Sequence, residues 1–287
     1  MYIRKKYKMV VWAISVLIGA FIVIMSIISG GYQFTMEYMI PLKQKVNNGI
    51  VVGILVAVIP PAVVEFNNSV WLREVDDNVP RLLMDITESI RSGLSLFEAL
   101  EAAADKDYGP ITPYLDQAMV KFRMTADLEG SLDWLGEKLI RPSAKRVVTI
   151  LQEAYETGGK MIEVLETSVD MFTSLAEYKD ERDTQMSPYI LLVYMANIIF
   201  LGISWTIIVQ FLGPLAESSQ DPMAPMGGMV RMLSMDYYKS ILFWASVVEG
   251  LLGGLVAGKI RDNRIGGGLV HSVLLVLISL VFYNIVY

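Results

Sequence analysis

Ile90-Arg91-Ser92-Gly93-Leu94-Ser95-Leu96-Phe97-Glu98-Ala99-Leu100 is the stretch on which the reading of this chain turns. It closes one helical pattern and opens another. Upstream, Val79, Leu82, Leu83, Ile86 and Ile90 recur at helical spacing, with Pro80 in the opening turn and Gly93 just past the end. Downstream, Ser95 and Glu98 have the spacing of a capping box, in which each side chain satisfies the other residue's free amide. Leu96, Leu100 and Ala103 then share a face. The same grammar returns 65 residues later in Thr157-Gly158-Gly159-Lys160-Met161-Ile162-Glu163-Val164-Leu165.

Between and beyond the two copies the pattern stays helical. Gly109-Pro110 breaks the chain, and Thr112-Pro113 starts a third helix through Arg123. Asp127 caps a fourth, with Leu128, Leu132, Leu135 and Leu139 spaced by three or four. Pro142 opens a fifth, carrying Val147, Ile150, Leu151 and Ala154 as far as Gly158. A sixth runs from Lys160 through Phe172 and Leu175 toward Pro188 and feeds into the hydrophobic sequence beyond. Six amphipathic helices with short links predict a bundle. The echo suggests two related three-helix halves, against the plainer reading that glycine followed by a capped helix is common local grammar.

The bundle is flanked by apolar runs long enough to cross a bilayer, which takes about 20 residues of helix. These are 10–29, 49–64, 189–212, 240–258 and 266–287. The second is short and holds Pro60-Pro61, and the fourth contains Glu249. They account for a hydrophobic fraction of 54% and a mean hydropathy of +0.46. The first run, behind Arg4, Lys5, Lys6 and Lys8, is longer than a signal-peptide core and lacks an A-x-A-like site, so it reads as a retained anchor. The expected fold class is therefore all-α: about five transmembrane helices and a cytoplasmic six-helix bundle. The segments are an N-terminal transmembrane pair (1–64), the helical domain (65–187) and three C-terminal spans (188–287).

Charge gives the orientation. The basic amino terminus and the turn around Lys259, Arg261 and Arg264 fall on one side, the cytoplasmic one, and the carboxyl terminus falls outside. Residues 65–187 hold 24 acidic and 13 basic residues, a net of −11, while the remainder, 11 basic and 6 acidic, carries +5. An acidic domain repels nucleic acid and anionic lipid surfaces and suits a basic protein partner, or simply solubility.

Few residues suggest chemistry. There is no cysteine, which excludes thiolate chemistry and Cys-based metal sites. The chain contains no GxxxxGK[ST], HExxH or GxSxG, and the acidic runs at Asp105 and Asp107 and at 177–183 lack EF-hand spacing. No cofactor, metal or nucleotide hydrolysis is expected. Glu249, near the middle of the fourth span, is a functional candidate because an intramembrane carboxylate is costly. Its partner is open: a cation from another subunit, His271 across the turn, or a hydrogen-bonded packing contact. Gly250, Gly254 and Gly258 form a small-xxx-small face for close helix approach, to the fifth span, another subunit or a foreign helix. His271, the single histidine, is expected to hydrogen-bond a neighbouring helix. Met223, Met226, Met229, Met232 and Met235 crowd the loop before the fourth span, where adaptable methionines suit either partner contact or an interfacial segment.

At the two glycine-marked stretches the chain resembles the type II secretion system F and type IV pilus platform protein family. Members carry patterns like L-x-x-G-x-x-L-x-x-A-L, matched by residues 90–100, and then x-x-G-G-x-L-x-x-V-L, matched by 156–165 with Met161 in place of leucine. Tyr108-Gly109-Pro110-Ile111-Thr112-Pro113, Glu249-Gly250-Leu251-Leu252-Gly253-Gly254 and Gly268-Leu269-Val270-His271 resemble its archaeal, archaellum-like branch. The resemblance implies a non-enzymatic membrane platform of a type IV pilus-like machine. It would couple a cytoplasmic assembly ATPase to pilin insertion in the cell membrane. It marks Gly93, Glu98, Tyr108, Gly158, Gly159 and Glu163 as candidates for ATPase interaction. Glu249, Gly250, Gly254, Gly258 and His271 become candidates for transmembrane packing or pilin contact. Many members carry two such modules and this chain one, so a homodimer or a related platform subunit is implied. Rival classes are a small-molecule transporter and a membrane-bound signalling adaptor.

Overall fold

A computed structural model describes residues 2–3, 5–31, 40–214, 235–262 and 265–286. Every regular element among them is helical. The long helices are α1 (Lys5–Gly30), α2 (Gln44–Arg91), α7 (Met161–Thr206), α8 (Met235–Asp262) and α9 (Gly268–Val286). The shorter ones are α3 (Leu96–Ala104), α4 (Thr112–Thr125), α5 (Leu128–Leu139) and α6 (Pro142–Thr157). Five helices are long and apolar enough to cross a membrane. Most of the methionine-rich loop, Met223 to Met232, lies outside the described residues, as do Arg4 and Arg264.

The chain divides into two compact units, described separately below. The polar unit is Asn67–Gln185 with Tyr2. It contains six helices: the second part of α2, then α3 to α6, then the first part of α7. Their apolar stripes meet in one core. Val75, Val79, Leu82, Leu83 and Ile86 enter from α2, Leu96, Ala99 and Leu100 from α3, and Leu115 and Met119 from α4. Leu132 and Leu135 enter from α5, Val147 and Leu151 from α6, and Leu165 and Phe172 from α7. The links are tight. Asp127 caps α5, its Oδ1 accepting from the Gly130 amide at 2.9 Å. Pro142 opens α6, where a missing N–H costs nothing.

One expectation is corrected here. The second span and the first bundle helix, with Pro80 in its opening turn, are a single 48-residue helix, α2, holding Pro60, Pro61 and Pro80 in its interior. An interior proline costs roughly 3 kcal/mol. Across Pro80 the buried stripe from Val75 to Ile86 continues unbroken. Five such side chains at about 1.5–3 kcal/mol each outweigh one proline. By contrast the sixth helix does run on through Pro188 into the third span, as α7. It is followed by a π-helical stretch at Ile207–Leu212.

The membrane unit is Ile3–Phe66 and Met186–Tyr287. A Cβ built on Gly19 would lie 2.5 Å from the Gly53 carbonyl, so α1 and α2 approach through glycine. At one end Lys8 pairs with Glu65 at 2.5 Å. At the other, Lys43 Nζ donates to the Gly30 carbonyl at 3.0 Å and Asn47 Nδ2 donates to Ser240 Oγ at 3.1 Å. Leu201, Phe243, Val247, Val276 and Tyr283 form the interior with Val51 and Leu55. The outward faces are apolar: on α1, Leu17, Phe21 and Ile28 are 70%, 64% and 69% exposed. Such exposure suits lipid rather than water.

Candidate functional site

In the polar unit the two glycine links come to the same end of the bundle. Arg91, in the last turn of α2, pairs with Glu166, close to the start of α7. That ion pair ties the helix before the first link to the helix after the second. At the first link α2 ends in a Schellman motif: the Leu94 amide donates to the Ser89 carbonyl at 3.2 Å and the Gly93 amide to Ile90 at 2.9 Å. The motif needs a left-handed residue, and Gly93 has φ +100°. Ser95 then starts α3 through a complete capping box with Glu98. Its amide donates to Glu98 Oε2 at 2.8 Å, and the Glu98 amide donates to Ser95 Oγ at 3.3 Å. The Ser95 amide, and then its hydroxyl, hold the Glu98 carboxyl below its ordinary range.

The second link is built differently. Gly158 is also left-handed, with φ +59°, but residues 158–160 form one 3₁₀ turn and α7 follows at once. A Cβ on Gly93, Gly158 or Gly159 would meet nothing within 4 Å. These glycines serve backbone conformation, not close packing inside this chain, and their surroundings are open. Around them Leu94, Tyr155 and Ile162 are 39%, 59% and 40% exposed, beside the exposed carboxylates of Glu98, Glu156 and Glu163. The result is an exposed apolar-and-acidic end where two helix boundaries meet.

Tyr108, another of the candidates, does not belong to that surface. It is fully buried, and its hydroxyl donates to Asp85 Oδ2 at 2.5 Å. Lys106 Nζ reaches the same oxygen at 3.1 Å, and the Arg81 guanidinium lies 5.5 Å from the ring centre. Burial, helped by the Asp85 hydrogen bond and charge, pushes the phenol well above its ordinary value. Burial also opposes ionisation of Asp85, but the Tyr108 and Lys106 hydrogen bonds outweigh it and hold the carboxyl below its ordinary value. Tyr108 therefore fixes the 105–113 loop against α2 with its own side chain turned inward. Asp85 was not visible in the sequence as a site residue, because its partner lies 23 positions away.

A second polar cluster also escaped the sequence reading. Asp76 on α2 accepts from Arg141 Nε at 2.9 Å and from Ser143 Oγ at 2.5 Å, anchoring the start of α6. It borders a cavity of about 600 Å³ with Pro80, Phe172 and Lys179. Arg141 and Lys179 are each already paired to a carboxylate, so the cavity presents no uncompensated charge from them.

In the membrane unit the glycine face has an internal partner. A Cβ on Gly254 would sit 2.1 Å from the Ser272 nitrogen, one on Gly258 1.9 Å from the Gly268 nitrogen, and one on Gly250 3.2 Å from Leu275. Within the chain the stripe is filled by α9, the fifth span. Ser272 Oγ adds a hydrogen bond to the Leu251 carbonyl at 2.8 Å. Glu249 and His271 are not brought together. Asn197 Nδ2 approaches Glu249 Oε2 at 3.5 Å, and His271 Nδ1 lies 2.8 Å from the Tyr194 hydroxyl. Both contacts run to α7, so the three C-terminal spans are cross-tied by polar pairs. Asn197 is 1% exposed and had no signal in an otherwise apolar stretch. Among the described residues no cluster of three or more His, Cys, Asp or Glu could hold a metal.

Comparison with known proteins covers most of the polar unit. Residues 82–209 match the family model of the type II secretion system protein F. The match contains both glycine links and stops short of Glu249 and His271. The chain is similar to an uncharacterized protein of Methanocaldococcus jannaschii, at 23% identity over 236 residues, which is 81% of this chain and 37% of that protein. It thus spans little more than a third of the length of the curated relative it matches. No solved structure matches the chain.

Proposed function

From a chain whose residues 82–209 carry a type II secretion system protein F domain, we infer a membrane platform in a type IV pilus-like assembly machine. Proteins of this family are structural platform components that work with a cytoplasmic ATPase and pilin-like subunits. In this reading the polar unit faces the cytoplasm and receives the ATPase, and the spans hold the pilin-like subunits during insertion. The archaeal, archaellum-like branch is the proposed setting. A second copy, or a related platform subunit, supplies the other module.

The observation that carries this reading is the exposed end where Gly93 and Gly158-Gly159 meet. Open space above both glycines, exposed Leu94, Tyr155 and Ile162, and the carboxylates of Glu98 and Glu163 make a surface suited to a partner with basic residues around an apolar centre. Because α2 and α7 both leave this end and both belong in part to the membrane unit, a force applied here acts on helices that are continuous with membrane spans.

Charge reversal tests it. Glu163→Lys combined with Glu156→Lys is expected to abolish co-purification of the assembly ATPase while leaving the protein membrane-inserted and folded. Retention of the ATPase at wild-type level would remove this end of the bundle from the docking role.

A further inference from the structure

Along the side of the polar unit, away from the glycine links, α7 turns a stripe of apolar side chains outward. Met171, Leu175 and Tyr178, at steps of four and three, are 40%, 49% and 69% exposed. Leu175 also lines the cavity of about 600 Å³ between α2, the start of α6 and α7. Pro80, Pro142, Phe172 and Ala176 supply the apolar wall of that cavity. We propose that the stripe and the groove beside it seat a basic amphipathic helix of a partner protein.

The apolar surface is the first argument. Single exposed apolar residues are ordinary, but three on one helical face beside a cavity form a contiguous patch, and such patches mark interaction surfaces. Methionine and tyrosine are enriched at the centres of interfaces, and methionine adapts its shape to what it meets. A groove bordered by a long helix takes another helix through anchors spaced i, i+3 or i+4, and i+7. The stripe on α7 has that spacing itself, so ridge can meet ridge along the groove.

Charge is the second, and it selects the occupant. Asp170, Glu177 and Glu181 run along the side of α7 away from the groove, all exposed. Among the described residues none of the three forms an ion pair, and Glu181 receives only the neutral Gln185 amide at 3.1 Å. The two cations on this stretch of α7 are already answered: Lys179 by Asp77 at 2.7 Å and Arg182 by Asp183 at 2.6 Å. On the groove wall Arg141 is paired with Asp76, and Arg146 is offset by Asp180. The surface is therefore an apolar centre and a neutral groove with one acidic border. A helix that lays its apolar face in the groove meets that border with its flank, where cations are favoured. A second copy of this chain would instead bring the acidic excess of residues 65–187 against the same border.

The full chain in phosphatidylcholine nanodiscs is titrated with a synthetic peptide that carries leucines on one helical face and lysines on the other. A peptide of the same composition in shuffled order, and empty nanodiscs, set the background. One peptide per chain is expected above it. Asp170→Asn with Glu177→Gln should weaken binding about fivefold, the size of two surface ion pairs. Leu175→Gln should weaken it about tenfold, as loss of a central anchor does. Asp116→Asn with Glu137→Gln, an equal change of charge on α4 and α5, should leave it unchanged. All five positions are exposed, so thermal unfolding of each variant should match wild type. Should Leu175→Gln fold poorly, the two charge pairs still decide. Glu156 and Glu163 stay intact throughout, so the outcome is independent of docking at the glycine-link end. The proposal is overturned if the shuffled peptide binds equally, if both charge pairs lose binding alike, or if a folded Leu175→Gln binds as wild type does. It is also overturned if Leu175→Cys, in a chain with no other cysteine, cross-links two copies in membranes on oxidation, which would make the occupant a second copy.

Discussion

Tyr108 and Gly93 show how differently two residues of one motif set can act. Tyr108 is buried and spends its hydroxyl on Asp85, so Tyr108→Phe leaves a partly buried carboxylate short of one donor. A cost of about 2 kcal/mol is expected, from the value of hydrogen bonds to charged groups, and urea unfolding of the detergent-solubilised chain at pH 7 measures it. The pH dependence has a definite sign. Asp85 is held below its ordinary value when folded, so its contribution is complete above the unfolded carboxylate range and fades as pH falls through the folded value. The Tyr108→Phe penalty should therefore shrink when the titration is repeated near pH 3; a penalty that grows would contradict the assignment. The glycines differ among themselves as well. Gly93→Ala places a Cβ on a left-handed backbone in open space and should cost about 1 kcal/mol. Gly159→Ala meets nothing and has no positive φ, so it should lie within about 0.5 kcal/mol of wild type by the same assay. The capping box at Ser95 and Glu98 was legible in the sequence because it is local; the Tyr108–Asp85 and Arg141–Asp76 pairs were not, because their partners lie 23 and 65 positions apart.

At the scale of elements, helical periodicity located all six bundle helices and the five membrane spans, since an amphipathic stripe and an apolar run are both properties of contiguous sequence. Where periodicity misled was the continuity of α2. Prolines read as boundaries, and the burial that overrides them comes from helices far along the chain. The glycine stripe was legible as a close-packing face, but its partner was not, because several helices could fill it. With the partner known to be α9, a sharp expectation follows. Gly254→Leu drives a side chain into the backbone of Ser272 and should cost at least about 3 kcal/mol, or prevent folding. Ser272→Ala removes one hydrogen bond and should cost only about 1 kcal/mol. Thermal unfolding in one detergent compares the two, and similar penalties would argue against direct backbone contact between α8 and α9. Glu249, which Asn197 approaches at 3.5 Å, is the weaker cross-link, and Asn197→Ala is expected to perturb the α7–α8 pairing less than Gly254→Leu.

The whole molecule joins a polar helical unit and a membrane unit through two helices that belong to both, α2 and α7. The net charge of −11 on residues 65–187 suits a basic partner or simply solubility, and Glu98, Glu156 and Glu163 of that charge lie exposed beside the two glycine links. What the chain holds is the central claim, and a pull-down answers it most directly. The tagged full-length protein is purified from native membranes in mild detergent, and the proteins that accompany it are identified by mass spectrometry. The account predicts an assembly-type ATPase and pilin-like subunits, with the ATPase lost on reversing Glu156 and Glu163. Recovery of the chain with neither, alone or with only another copy of itself, would contradict the platform role.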